Sequence, residues 1–131
     1  MKPIVLVAHD EPITRSMYRL VLERNGFKVN HANDGVDTLL QVELVNPDVV
    51  IVDVQMPQLN GIDVCRKLRE QPETADLPII LCDTKPSSAS PVKVAPAKAS
   101  KFLGKHFSSK RLLNVVRELL GLQPDMRKAW I

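Results

Sequence analysis

Acidic side chains recur at the ends of short apolar runs along this chain, and one lysine does the same. Asp10 and Glu11 follow residues 3–8, Asp53 closes 48–53, Asp83 follows 77–82, and Lys105 lies just beyond 100–103. If these runs are strands of one open parallel sheet, the five groups converge on its carboxyl-terminal rim, where such sheets place their chemistry. Carboxylates gathered there raise one another's pKa values unless a cation compensates. A hard divalent ion would do so, and Mg2+ fits best because it takes carboxylate and water ligands around a transferring phosphate. A carboxylate is also a nucleophile toward phosphorus, giving an acyl phosphate. Lys105 then acts as a mobile cation that pairs with phosphoryl oxygens or, without them, with Asp53. These residues alone leave a metal-dependent phosphatase or another phosphoryl-transfer enzyme open.

The runs have the composition that this placement needs. Residues 3–8, PIVLVA, are mostly β-branched or apolar, as expected of a strand buried on both faces. Pro12 suits the first turn of a helix whose Ile13, Met17, Leu20 and Val21 share an apolar face, and Asn25-Gly26 ends it. Residues 27–31 read as a second strand. Asn33 then caps a helix carrying Val36, Leu39, Leu40 and Leu44, with Pro47 at its exit. Residues 48–53 are the strongest strand signal, four β-branched residues bounded by acids. Helix formers run over 62–71, and 77–82 gives a fourth strand. This order predicts an α/β fold, a doubly wound parallel sheet of five strands with helices on both faces.

The order falters at 84–98, where prolines 86, 91 and 96 and a serine cluster leave room for a short helical turn at most. The fourth helix is therefore expected to be degraded or irregular. Residues 100–103 make a short fifth strand, and Ser108 or Ser109 caps a last helix with Leu112, Leu113, Val116, Leu119 and Leu120 on its apolar side, closed by Gly121. The domain is expected over 1–122, with a peripheral tail at 123–131 whose Trp130 and Ile131 pack back or meet a partner.

The chain has 131 residues, 44% apolar and 25% charged, which suits one globular domain. No run approaches the roughly 20 apolar residues that span a bilayer, and the start reaches Asp10-Glu11 too soon for a signal peptide, so a cytoplasmic location is the default. Cys65 and Cys82 lack metal-ligand or Cys-x-x-Cys spacing and read as free thiols. Residues 1–84 hold 8 Lys/Arg against 13 Asp/Glu, and residues 85–131 hold 10 against 2. The lysines at 85, 93, 98, 101 and 105 are dispersed and lack interleaved aromatics, so a solvated basic face is expected and nucleic acid is not.

Along residues 3–121 the chain resembles the receiver domain of two-component response regulators. The resemblance is carried by Asp10-Glu11, the block Asp53-Val54-Gln55-Met56-Pro57-Gln58-Leu59-Asn60-Gly61, the strand Leu77-Pro78-Ile79-Ile80-Leu81, and Phe102-Leu103-Gly104-Lys105, in that order. It implies a flavodoxin-like receiver fold in which Asp53 accepts a phosphoryl group from the phosphohistidine of a sensor kinase or phosphotransfer protein. It also implies Mg2+ held by Asp10, Asp53 and the backbone carbonyl of Gln55, with Glu11 binding directly or through water, and a phosphoryl oxygen held by Lys105. Gln55 stands where the family tunes acyl-phosphate hydrolysis.

Several positions depart from the pattern. Asp83 stands where the family has a switch Thr or Ser, and an ionised carboxylate cannot donate to phosphate. Three outcomes stay open: protonation of Asp83, rotation toward metal or solvent, or replacement of its role by Thr84. Phe102 aligns with the family's coupling aromatic but lacks a hydroxyl, so a buried, static ring is expected. His106 replaces the proline that usually follows the lysine, and the loop there is either trans or strained. It reads as a loop residue, and His9 and His31 as structural or surface groups.

The leading expectation is a stand-alone or amino-terminal receiver that signals through contact with a downstream protein, with self-association as a homodimer left open. Catalysis would extend no further than Mg2+-dependent self-phosphorylation and acyl-phosphate hydrolysis. The alternative is a phosphorylation-independent pseudo-receiver that binds a partner constitutively.

Overall fold

The structure, a computed structural model, describes residues 2–85 and 91–123. Residues 124–131 of the expected 123–131 tail and the prolyl-seryl stretch 86–90 lie outside the described residues. Five parallel strands, β1 (Ile4–Ala8), β2 (Lys28–Ala32), β3 (Val49–Asp53), β4 (Ile79–Cys82) and β5 (Lys101–Leu103), lie in the order β2-β1-β3-β4-β5. Helices α1 (Pro12–Arg24), α2 (Gly35–Val45), α3 (Gly61–Arg69), α4 (Pro91–Val94) and α5 (Ser109–Leu119) connect or follow them, with a 3-10 turn over Ala95–Ala97. Among the described residues, no helix is long and apolar enough to cross a membrane.

Strand alternation sorts the core onto two faces. Leu6, Ala8, Val50, Val52, Ile79 and Leu81 pack under α2, α3 and the short α4 segment, while Val5, Val7, Val49, Ile51, Ile80 and Cys82 face α1 and α5. With helices on both sides, every position of β3 and β4 and all of β1 but Ile4 is buried, which explains their near-continuous apolar runs.

Where the apolar pattern was ambiguous, the structure corrects it. Ile13, Met17 and Leu20 of α1 are exposed, and Leu22, with half-buried Tyr18, turns inward instead. Arg15 shares that inner side and donates from Nη1 to the His9 carbonyl at 2.7 Å, so polar and aromatic groups hold α1 in its rotation. Similarly, Val36, Leu40 and Leu44 form an exposed stripe on α2 while Thr38 and Val42 are buried. The α2 cap is Asp34, not Asn33: its carboxylate accepts from Asp37 N at 2.7 Å, and Asp37 accepts from Asn33 N at 3.0 Å. Ser108 caps α5, and Gly121, at φ +69°, ends it with paired bonds from Gly121 N to Glu118 O and Leu122 N to Arg117 O.

The interval after β4 holds no long helix among its described residues. The α4 segment is four residues long, and its Val94, with Ala97 of the 3-10 turn that follows, is buried in the cluster that includes α3. Phe102 is half-buried against the same cluster, less enclosed than a fully buried ring. The peptide bonds of the described residues are all trans, and His106 takes a left-handed conformation at φ +67°.

Candidate functional site

Because β1, β3 and β4 run parallel and in register, their ends share one rim: Ala8 pairs with Val52, and Asp53 with Cys82. Asp53 is buried there, 1% exposed. Its Oδ1 accepts from Thr84 Oγ1 at 2.7 Å and Thr84 N at 3.2 Å, and its Oδ2 accepts from Gln55 N at 3.1 Å.

Close backbone approaches fix this arrangement. Gly61 N donates to Val54 O at 2.8 Å, and a Cβ at Gly61 would lie 2.2 Å from Asp53 O, so only glycine lets α3 start this near the strand end. Across the same loop, Gly35 N donates to Pro57 O at 3.2 Å, and a Cβ on Gly35 would meet Leu59 O at 1.9 Å. The 54–60 loop is thus braced by the starts of both α2 and α3.

His9 belongs to the same cluster. Its Nδ1 accepts from Glu11 N at 3.0 Å, and its Nε2 lies 2.8 Å from Thr84 Oγ1. Since Thr84 spends its proton on Asp53, Nε2 carries the hydrogen, and the network assigns a neutral imidazole with a continuous path from His9 through Thr84 to Asp53. Burial, and then the Lys85 charge, holds the His9 pKa below the usual histidine value against the pull of Asp53. The Tyr18 ring stands edge-on to His9 at 6.5 Å, its hydroxyl pKa raised by burial.

Lys85 enters the site as well. Its ammonium bonds Asp10 Oδ1 and donates to the Gln55 carbonyl at 2.8 Å. Burial would raise the Asp10 pKa, but the Lys85 hydrogen bond and charge outweigh it and hold Asp10 below the ordinary carboxylate value. Thr84 and Lys85 thus engage both carboxylates, one residue each.

The other expected residues are placed as follows. Glu11 is exposed at the N-terminus of α1, where its carboxylate accepts from Thr14 Oγ1 at 3.3 Å. Asp83 is buried, and its backbone N–H donates to Leu103 O at 3.0 Å. Lys105 is exposed in the turn after β5. The sequence reads His9 as a structural or surface group, and alternation places it in the cluster: residues 5, 7 and 9 share one face of the sheet, and so do 49, 51 and 53. Lys85 reads in the sequence only as surface charge, because it opens the proline-rich interval.

Among the described residues, no three His, Cys, Asp or Glu side chains gather as a metal cluster. The donors at this rim are two carboxylates, Asp10 and Asp53, and the Gln55 carbonyl. That all-oxygen set suits Mg2+, which keeps several waters and needs few protein ligands. The Lys85 ammonium, seated on two of the three, marks the place as one that takes positive charge.

Residues 5–117 match the response regulator receiver domain. The chain belongs to that family. The receiver is 38% identical over 122 residues to response regulator MprA of Mycobacterium leprae, an alignment covering 92% of this chain and 53% of that protein. It therefore spans about half the length of the curated relatives it matches. Among solved structures it is similar to the Francisella response regulator 1452 receiver domain, at 29% identity and TM-score 0.82 over 92% of this chain and 98% of that one. The receiver domain of sensor histidine kinase PA1611 from Pseudomonas aeruginosa shares the fold at 21% identity and TM-score 0.83, covering 92% of this chain and 99% of its own, and holds a magnesium ion in its active-site cleft.

Proposed function

We propose that this receiver accepts a phosphoryl group on Asp53 from the phosphohistidine of a sensor histidine kinase or phosphotransfer protein, and signals in the cytoplasm through contact with a downstream protein. The observation that carries this reading is the Asp53 carboxylate, buried at the strand ends yet fixed by three hydrogen bonds. In the transfer, an Asp53 oxygen forms an O–P bond as the donor's P–N bond breaks, and the imidazole leaves with its electron pair. Gln55 N–H and Thr84 hold the carboxylate in orientation, which lowers the entropic cost of an in-line attack. Thr84 supplies the hydroxyl that Asp83 lacks. Asp10, Asp53 and the Gln55 carbonyl would hold Mg2+, with Glu11 binding directly or through water, and the ion would supply neutralisation of charge on the phosphoryl oxygens. Lys105 offers a cation to those oxygens from the β5 turn.

A second reading, a pseudo-receiver that binds its partner without phosphate, draws support from Lys85, which already balances Asp10, and from the buried carboxylate of Asp83. The two separate on labelling. Acetyl phosphate with MgCl2 is expected to add one phosphoryl group by intact-protein mass spectrometry, and Asp53→Asn to abolish the addition. Equal labelling of that variant would reject Asp53 as acceptor; no labelling of the wild type, with partner binding retained by Asp53→Ala, would favour the second reading.

A further inference from the structure

The residue that fills the predicted cation position belongs to this chain. Lys85 Nζ contacts Asp10 Oδ1 and the Gln55 carbonyl, two of the three oxygen donors assigned above to Mg2+. Its side chain is 19% exposed and that of Asp10 26%, so the pair is partly shielded from water rather than loose on the surface. We infer that Lys85 is a tethered counter-ion that occupies the divalent-cation site in the metal-free protein, so that Mg2+ binds only when the ammonium leaves. This inference rests on the reading of Asp10 and Gln55 as metal ligands.

The chemistry supports exclusion rather than sharing. An ammonium has three donors and no acceptor, so it satisfies the same oxygens a metal would but offers the metal nothing. Two cations on one carboxylate oxygen repel, and that repulsion is little screened at contact distance. A carboxylate and a carbonyl left facing each other without any cation would be unfavourable, which gives Lys85 a task in the metal-free state.

The exchange would also reach beyond the metal. Thr84, the neighbour of Lys85, bonds Asp53 Oδ1 through both its hydroxyl and its N–H. Withdrawal of Lys85 therefore pulls on the residue that orients the phosphoacceptor. The 84–85 dipeptide joins occupancy of the cation site to the geometry of Asp53.

The test is a titration with MgCl2 alone, at constant ionic strength, by calorimetry and by backbone amide shifts of Gln55 and Thr84. It compares the wild type with Lys85→Met and Lys85→Gln, and with Lys28→Met, which removes the same charge from the exposed start of β2 at the opposite rim. If Lys85 leaves the site open only about one-tenth of the time, removing its charge tightens apparent Mg2+ affinity about tenfold. Lys28→Met should match the wild type, and the metal-free Lys85 variants should melt lower and recover with Mg2+. Thermal melts confirm that each variant is folded, and Lys85→Gln covers a failure of Lys85→Met. Equal, measurable affinity in wild type and both Lys85 variants would overturn the tethered counter-ion and leave the metal site standing. Absence of binding in all of them would overturn both.

Discussion

His9 is held by a hydrogen bond from Glu11 N to Nδ1 and by its own donation from Nε2 to Thr84 Oγ1, and the first of these needs the neutral ring. Protonation would put a second donor where Glu11 N–H already points. Burial accordingly holds its pKa below the usual histidine value, and His31 is shifted the same way by burial, then Arg19 and Arg15. The unfolded chain takes up these protons near about pH 6.5 while the folded chain resists them. It thus binds more protons in that range, so stability is complete above about pH 6.5 and falls as pH drops below it, by at most about 1.4 kcal/mol per pH unit for each histidine. Asp10, also shifted down, contributes stability above its unfolded value near about pH 4 and loses it only at lower pH, so the two windows are distinct. Urea midpoints measured between about pH 7.5 and 5.5 should decline in the wild type and decline less in His9→Gln. An unchanged slope in that variant would mean that His9 is not held neutral. At this scale the acids were legible because charged residues at strand ends stand out; the neutral histidine was not, since its meaning lies in which face of the sheet it meets just past β1.

At the scale of elements, α1 separates periodicity from phase. Its apolar spacing is truly helical, yet the side that meets the sheet carries Arg15, Tyr18 and Leu22, while Ile13, Met17 and Leu20 face solvent. Replacing any of these three exposed residues with serine should shift stability by no more than about 0.5 kcal/mol. Leu22→Ala, which opens a hole under the helix, should cost about 2–5 kcal/mol by urea denaturation. The reverse ranking would restore the apolar face expected from spacing. Strands β1, β3 and β4 were legible because burial on both faces leaves no phase to mistake. The short α4 segment was also anticipated, from the proline spacing. The helix rotations were not legible, because they are set by partners distant in sequence, such as the His9 carbonyl that receives Arg15.

Across the whole molecule, the two sheet faces carry one buried cysteine each: Cys65 on α3 packs with the α2–α3 side, and Cys82 on β4 with the α1–α5 side. Burial pushes the Cys65 thiol up to about 12, and burial together with Asp53 and Asp83 raises Cys82 further from reactivity. Both thiols should resist a thiol reagent in the native protein at about pH 8, where only the thiolate reacts. In urea both should become reactive at one shared midpoint if the two faces unfold together. Earlier labelling of either cysteine would divide the molecule into separately melting halves. The glycine contacts described above bear on how such a molecule moves. Loop 54–60 is wedged by Gly35 on one side and Gly61 on the other, whereas Thr84 and Lys85 reach the rim through bonds to two carboxylates, His9 and one carbonyl. The site is built like a vice with one jaw keyed by backbone contact and the other held by hydrogen bonds to the groups it grips, so on the exchange inferred for Lys85 an incoming cation is registered on the 84–85 side.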